Sequence, residues 1–73
     1  MNLDYYKTFY YVALSKNFTK AAELLGNNQP NVTRSMNNLE AELGCRLFAR
    51  SNRGVSLTPI GEQLFQYVSA AMN

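Results

Sequence analysis

The sequence predicts a mainly α-helical domain in which three helices form a core, followed by a two-stranded β-hairpin and a fourth helix. Three observations predict it. Apolar residues recur at helical spacing in four stretches, glycine or proline marks most of the boundaries, and "RLFARSNRGVSLT" switches to an alternating pattern around Ser51–Gly54. At 73 residues the chain is one domain, and a domain of that size buries only roughly 60% of the surface its unfolded chain exposes. A partner is therefore expected to help hold it together.

The first helix is expected from Leu3 to Leu14. Tyr5, Phe9, Val12 and Ala13 fall on one stripe and Leu3, Tyr10 and Leu14 on another, so a second helix, from this chain or a neighbour, should pack beside it. "KNFTKAAELLG" predicts a two-turn second helix with Thr19 as N-cap and Gly26 as stop. Asn28 or Gln29 caps the third, Pro30 sits in its first turn where a missing N–H costs nothing, and Gly44 ends it. Two short helices joined by a tight polar turn containing glycine make a helix-turn-helix candidate.

The hairpin that follows should place Val55 and Leu57 on one face and Ser56 on the other, and it must lean on the helices, because two strands alone are unstable. This combination makes the fold a winged helix-turn-helix. Thr58 and Pro59 begin the fourth helix, and Glu62 adds negative charge near its positive end. Its stripe is Ile60, Leu64, Tyr67, Val68 and Ala71, with Phe65 and Met72 beside it. With no glycine or turn before Asn73, the helix and the protein are expected to run on.

Composition narrows the chemistry. The chain is 47% hydrophobic and 16% charged, as globular chains are. No apolar run approaches the roughly 18 to 20 residues of a membrane span, and the N-terminus lacks the features of a signal peptide, so no membrane partner and a cytoplasmic location are expected. A single cysteine, Cys45, rules out an internal disulfide and reads as a small core or half-buried turn residue. There is no histidine, and Asp4, Glu23, Glu40, Glu42 and Glu62 show no acid/base or metal-ligand pairing. With no glycine-rich phosphate loop either, no catalytic residue, metal or cofactor is expected.

With Val32, Met36, Leu39 and Leu43 turned inward, the third helix sends Pro30, Asn31, Arg34, Asn37, Asn38 and Ala41 outward, and Thr33 lies between the faces. Asparagines on an exposed helical face cost stability relative to better helix formers. The set Gln29, Asn31, Thr33 and Arg34 has the chemistry that matches base edges in a major groove, where Asn or Gln pairs bidentately with adenine and Arg with guanine. The net charge is only +2, but Arg46, Arg50 and Arg53 fall in a stretch without acids. Arg53 at the hairpin tip could reach a minor groove or phosphate, and Arg50 the backbone. Lys20 and the helix start at Thr19 are further phosphate candidates, whereas Lys7 and Lys16 read as solvated. The alternative is a protein-interaction module that binds a partner through the tyrosine-rich first helix and apolar fourth helix.

The stretch "NFTKAAELLGNNQPNVTRSMNNLEAELGCRLFAR" resembles the helix-turn-helix of LysR-type transcriptional regulators, in its Ala-Ala pair, Gln-Pro opening, Leu-Glu-x-x-Leu-Gly close and Leu-Phe-x-Arg strand, and "VSLTPIGE" is similar to that family's entry to its linker helix. The resemblance spans essentially the whole chain. It implies a bacterial, nucleoid-associated reader of double-stranded DNA, with residues 1–58 as the winged helix-turn-helix domain and 59–73 as the start of a dimerising linker helix. It also implies that Gln29, Pro30, Thr33 and Arg34 face the major groove with Asn31 close by, and that Arg50 and Arg53 serve the wing. A homodimer through the fourth helix, with help from the first, would read an interrupted dyad-symmetric site. Family members often carry Arg or Lys where this chain has Asn37 and Asn38, and serine at Asn28. The family's effector-binding domain has no counterpart in these 73 residues, so no small-molecule effector is expected to bind them.

Overall fold

The computed structural model describes residues 2–72; Met1 and Asn73, and with them the expected continuation of the last helix, lie outside the described residues. The order of elements is α1 (Leu3–Ser15), α2 (Phe18–Leu25), α3 (Gln29–Leu43), β1 (Phe48–Ser51), β2 (Gly54–Leu57) and α4 (Pro59–Met72). The expected mainly α architecture with a hairpin wing is what the chain adopts. No helix among the described residues is long and apolar enough to cross a membrane.

Helix starts follow side-chain capping. The Asn2 and Asn28 side chains accept from the N–H groups of Asp4 and Asn31 at the starts of α1 and α3, each at 2.9 Å. The start of α2 departs from expectation. Asn17, not Thr19, is the N-cap, its Oδ1 accepting the Lys20 N–H at 2.9 Å. Placing the first helical residue at Phe18 lets that ring turn into the core, and Thr19 becomes an exposed first-turn residue. Such a cap contributes about 1 kcal/mol. Asn28 settles the choice of cap for α3, leaving Pro30 in its first turn, and Gly26 and Gly44 end α2 and α3 with left-handed φ of 66° and 71°.

The core gathers Phe9 and Val12 of α1, Phe18, Ala21 and Ala22 of α2, Val32, Met36 and Leu39 of α3, then Leu47 and Phe48. Phe48 anchors the hairpin to the helices: its ring lies 5.4 Å from that of Phe9 and 5.6 Å from that of Phe18. The strands pair antiparallel from Phe48↔Leu57 to Ser51↔Gly54, with Asn52 and Arg53 as the loop. Val55 and Leu57 are half-buried against the core and Ser56 is exposed, as the alternation requires. Leu43 departs from expectation. Although on the inward stripe it is 39% exposed, because the last turn of α3 runs past the core.

The strand begins at Phe48, and Arg46 and Leu47 form the link from α3. The buried Glu40 carboxylate organises this link, accepting the N–H groups of Leu47 at 2.7 Å and Phe48 at 3.1 Å. Leu47 in turn offers its carbonyl to the Thr58 N–H at 3.0 Å. Thr58 accepts the Gly61 N–H at 3.0 Å and donates its hydroxyl to the Arg46 carbonyl at 2.7 Å, which ties the start of α4 to the same link. Gly61 is buried there, and a Cβ on it would lie 2.2 Å from the Leu47 carbonyl oxygen. Only glycine allows α4 to lie this close to the chain.

The two apolar stripes of α1 divide their work. Phe9, Val12 and Ala13 are buried, while Tyr10 stacks on Phe65 of α4 with centroids 5.8 Å apart. The helix expected beside α1 is thus, in part, the chain's own α4. Leu3 and Leu14, grouped with Tyr10 on that stripe, remain exposed. The fourth helix divides likewise: Leu64, Phe65 and Val68 pack on the core, whereas Ile60, Tyr67 and Ala71 face outward.

Candidate functional site

The outward face of α3 is polar and accessible. Gln29, Pro30, Arg34, Asn37, Asn38 and Ala41 are exposed, and Asn31 and Thr33 are half-buried. Local hydrogen bonds arrange this face before any ligand arrives. Gln29 donates to the Thr33 hydroxyl at 2.6 Å, one helical turn on. Asn27 Oδ1 accepts the Asn28 N–H at 2.8 Å, which makes the turn, and also a hydrogen bond from the Asn31 side-chain amide at 3.1 Å. Asn31 in turn accepts from the Arg34 guanidinium. An Asn27–Asn31–Arg34 relay therefore runs from the turn onto the helix.

Asn37 and Asn38, on the outward face of α3, both have partners in the fold. Asn38 donates to the Tyr5 hydroxyl at 3.2 Å and so ties α3 to α1. Asn37 accepts from Arg50 of β1 at 3.2 Å. Arg50 also lies over the Phe18 ring, 4.7 Å from its centroid, a contact worth about 0.5 to 2 kcal/mol depending on exposure.

These contacts bring Arg50 to the side of α3 that carries Arg34. Arg50 meets α3 at Asn37, one turn from Arg34, and meets α2 at Phe18, within one turn of the exposed Lys20. Arg53 extends from the hairpin loop, exposed, with its backbone N–H held by the Ser51 hydroxyl at 3.2 Å. Thr19 is exposed in the first turn of α2 but does not cap it. Several acids lie apart from this face: Glu40 is buried, and Asp4 and Glu42 share a depression with Asn2, Leu3 and Tyr5. These three acids therefore do not offset the arginines beside the outward face of α3. Among the described residues no group of three or more His, Cys, Asp or Glu could hold a metal ion. Cys45 is a free, half-buried thiol.

Between α1 and α4, Leu3, Tyr6 and Lys7 of α1 and Leu64, Tyr67, Val68, Ala71 and Met72 of α4 line a groove of about 440 Å³. Its lining is apolar apart from the Lys7 ammonium and the tyrosine hydroxyls. Four of the five stripe residues of α4 line it, and Ile60 lies outside, 50% exposed.

Sequence reasoning missed Glu40. Glu40 counts there only among acids without acid/base or metal-ligand pairing, and the useful signal was position: Glu40 directly follows Leu39 on the inward side of α3. An acid on a buried helix face needs a hydrogen-bonding partner.

Comparison with known proteins fits this geometry. Residues 3–62 match the family model for bacterial regulatory helix-turn-helix proteins of the lysR family. The HTH-type transcriptional regulator YofA of Bacillus subtilis is 46% identical over 67 residues, which are 92% of this chain and 24% of YofA. The chain thus spans about a quarter of that relative's length. Among solved structures, the BenM DNA-binding domain in complex with catB site 1 DNA superposes with a TM-score of 0.94 at 39% identity, covering 99% of this chain and 81% of that one. The CbnR DNA-binding domain in its DNA complex gives 0.92 at 38% identity, covering 99% and 83%. Fold, motif order and matched family together show that the chain belongs to the lysR family of bacterial regulatory helix-turn-helix proteins.

Proposed function

We propose that this chain is the DNA-reading domain of a bacterial transcription regulator, which seats the N-terminal half of α3 in the major groove of double-stranded DNA. One observation carries the reading: Gln29, Asn31, Thr33 and Arg34 form a preset polar face that is uncharged except for Arg34, with Arg50 held beside it at Asn37 and with Lys20 and Arg53 exposed. The neutral donors and acceptors suit base edges, and the cations around them suit phosphates. Pro30 supplies an apolar contact of the kind that meets a thymine methyl. The wing residue Arg53 reaches the backbone or minor groove beside the helix, and Thr19 and Lys20 approach a phosphate at the start of α2. The BenM domain was solved bound to DNA, and its likeness over 99% of this chain supports the reading.

Two copies joined through α4, with the exposed part of α1, would present two reading helices to a dyad-symmetric site. Residues 59–72 then serve as a linker and dimerisation helix, and Ile60, Leu64, Tyr67, Val68 and Ala71 lie on or beside the joining face. The reading implies a place of action in the cytoplasm, on the nucleoid.

Selection from a random duplex pool tests this. The 73-residue chain should enrich interrupted, dyad-symmetric sequences whose half-sites are spaced by whole helical turns of roughly 34 Å. A pool that stays random after repeated rounds would overturn the reading and favour the protein-interaction alternative.

A further inference from the structure

The Arg50 guanidinium sits where α2, α3 and β1 meet. Its central carbon lies 4.7 Å from the centroid of the Phe18 ring, and one of its nitrogens donates to Asn37 Oδ1 at 3.2 Å. Phe18 is itself buried and set edge-on to Phe48, two residues before Arg50 on the same strand. The surface on which the guanidinium rests is therefore part of the core. A guanidinium carries five N–H donors in a rigid planar fork. The bond to Asn37 and the contact with the ring together hold the group in place, and among the described residues its remaining donors stay available. Asn37 uses in this bond the same oxygen that a bidentate contact to adenine would need.

We infer that Asn37 is a positioning residue for Arg50. Together with the Phe18 ring it sets the guanidinium in the free protein so that the remaining donors meet the DNA backbone, and it reads no base itself. Which ligand Arg50 meets rests on the DNA-binding reading above, whereas the clamp is a property of the free chain. Arg53 provides the contrast. Among the described residues its guanidinium has no such partner, so on binding it must be ordered from freedom. A side chain set in advance avoids that entropic cost, so losing the clamp should weaken every duplex alike.

Two measurements on the 73-residue chain test this. Without DNA, the Arg50 Nε–H resonance in a proton–nitrogen NMR spectrum should be displaced by the Phe18 ring current. Asn37→Ala should return it toward the free-arginine position, while Asn37→Asp, which keeps an acceptor oxygen, and Asn38→Ala should not. An Arg50 resonance unchanged in Asn37→Ala would overturn the clamp, whatever the chain binds.

With DNA, Asn37→Ala should weaken binding to a selected site and to a scrambled duplex by the same factor. That factor should be about 2- to 13-fold, the fold-change for freezing one rotamer-rich side chain. Asn37→Ala combined with Arg50→Ala should bind no more weakly than Arg50→Ala alone. A loss confined to the selected site would make Asn37 a base reader, and losses that multiply in the double variant would make the two residues independent; either result overturns the proposal. If the wild-type chain binds neither duplex, the DNA reading and the backbone role of Arg50 fail together, and the NMR measurement still decides the clamp.

Discussion

At Glu40 a single carboxylate meets two main-chain donors, the N–H groups of Leu47 and Phe48, where the chain leaves α3 for the hairpin. Arg46 lies 3.5 Å from the same oxygen, but its side chain is 69% exposed, so the pair contributes less than about 1 kcal/mol. The two backbone bonds matter more, because a hydrogen bond to a charged group contributes about 1.5 to 3 kcal/mol and an abandoned buried N–H costs a similar amount. Glu40→Ala should therefore destabilise the domain by about 2 to 4 kcal/mol, a large share of the stability of a chain this short. Thermal unfolding should show a midpoint lowered by about 10 °C or more, with Glu40→Gln, which keeps one acceptor oxygen, falling in between. A midpoint within a degree or two of wild type for Glu40→Ala would show that water replaces the carboxylate. In the proposed DNA reading, Arg34 is the corresponding residue for binding. Its guanidinium is exposed and aimed by Asn31, so Arg34→Ala should cost about 1 to 3 kcal/mol on a selected site and relax preference at one base position. An equal loss on every sequence, measured by quantitative binding to single-base variants, would make Arg34 a phosphate contact.

Among the elements, the hairpin carries two arginines that are held in different ways. Arg50 is held against α2 and α3, while Arg53 projects from the loop between Ser51 and Gly54. If Arg53 neutralises one phosphate, Arg53→Ala should make the slope of log affinity against log salt shallower by about 1. An unchanged slope in a salt titration would remove Arg53 from the DNA surface. The elements themselves were largely legible in the sequence, because Gly26, Pro30, Gly44 and Pro59 mark boundaries by backbone chemistry that acts locally. The misplaced cap of α2 shows where local reasoning stops. Asn17 and Thr19 are both good caps, and the choice fell to the burial of Phe18 against Phe48, a contact made across some thirty residues. Leu43 failed for a related reason, since periodicity says which way a residue faces but not how far the core extends. The polar face of α3 was legible as chemistry, but its organisation was not. The partner of Asn37 lies on another element, and so does that of Asn38.

For the whole molecule, the proposed dyad-symmetric reading turns on how two copies would be held together. The chain's own packing uses Gly61, Leu64, Phe65 and Val68 to fasten α4 to α1 and the core. A charge at Leu64 or Val68 would therefore loosen the domain as well as any dimer, and the two effects could not be told apart. Tyr67 is the cleaner probe, because it is 80% exposed and borders the apolar groove between α1 and α4. Leu3, equally exposed, borders the same groove from α1. A small domain gains most from covering such a surface, since its single core leaves little stability in reserve. In sedimentation at rising concentration, the wild-type chain should pass from monomer to dimer, and Tyr67→Glu should remain monomeric with an unchanged helical circular dichroism spectrum. The monomeric variant should keep its affinity for one half-site and lose most of the gain that joining two half-sites confers, because that gain comes from effective concentration and not from new contacts. A wild-type chain that stays monomeric at high concentration would show that residues 59–72 do not suffice to join two domains. A Tyr67→Glu variant that still dimerises would move the interface away from this groove.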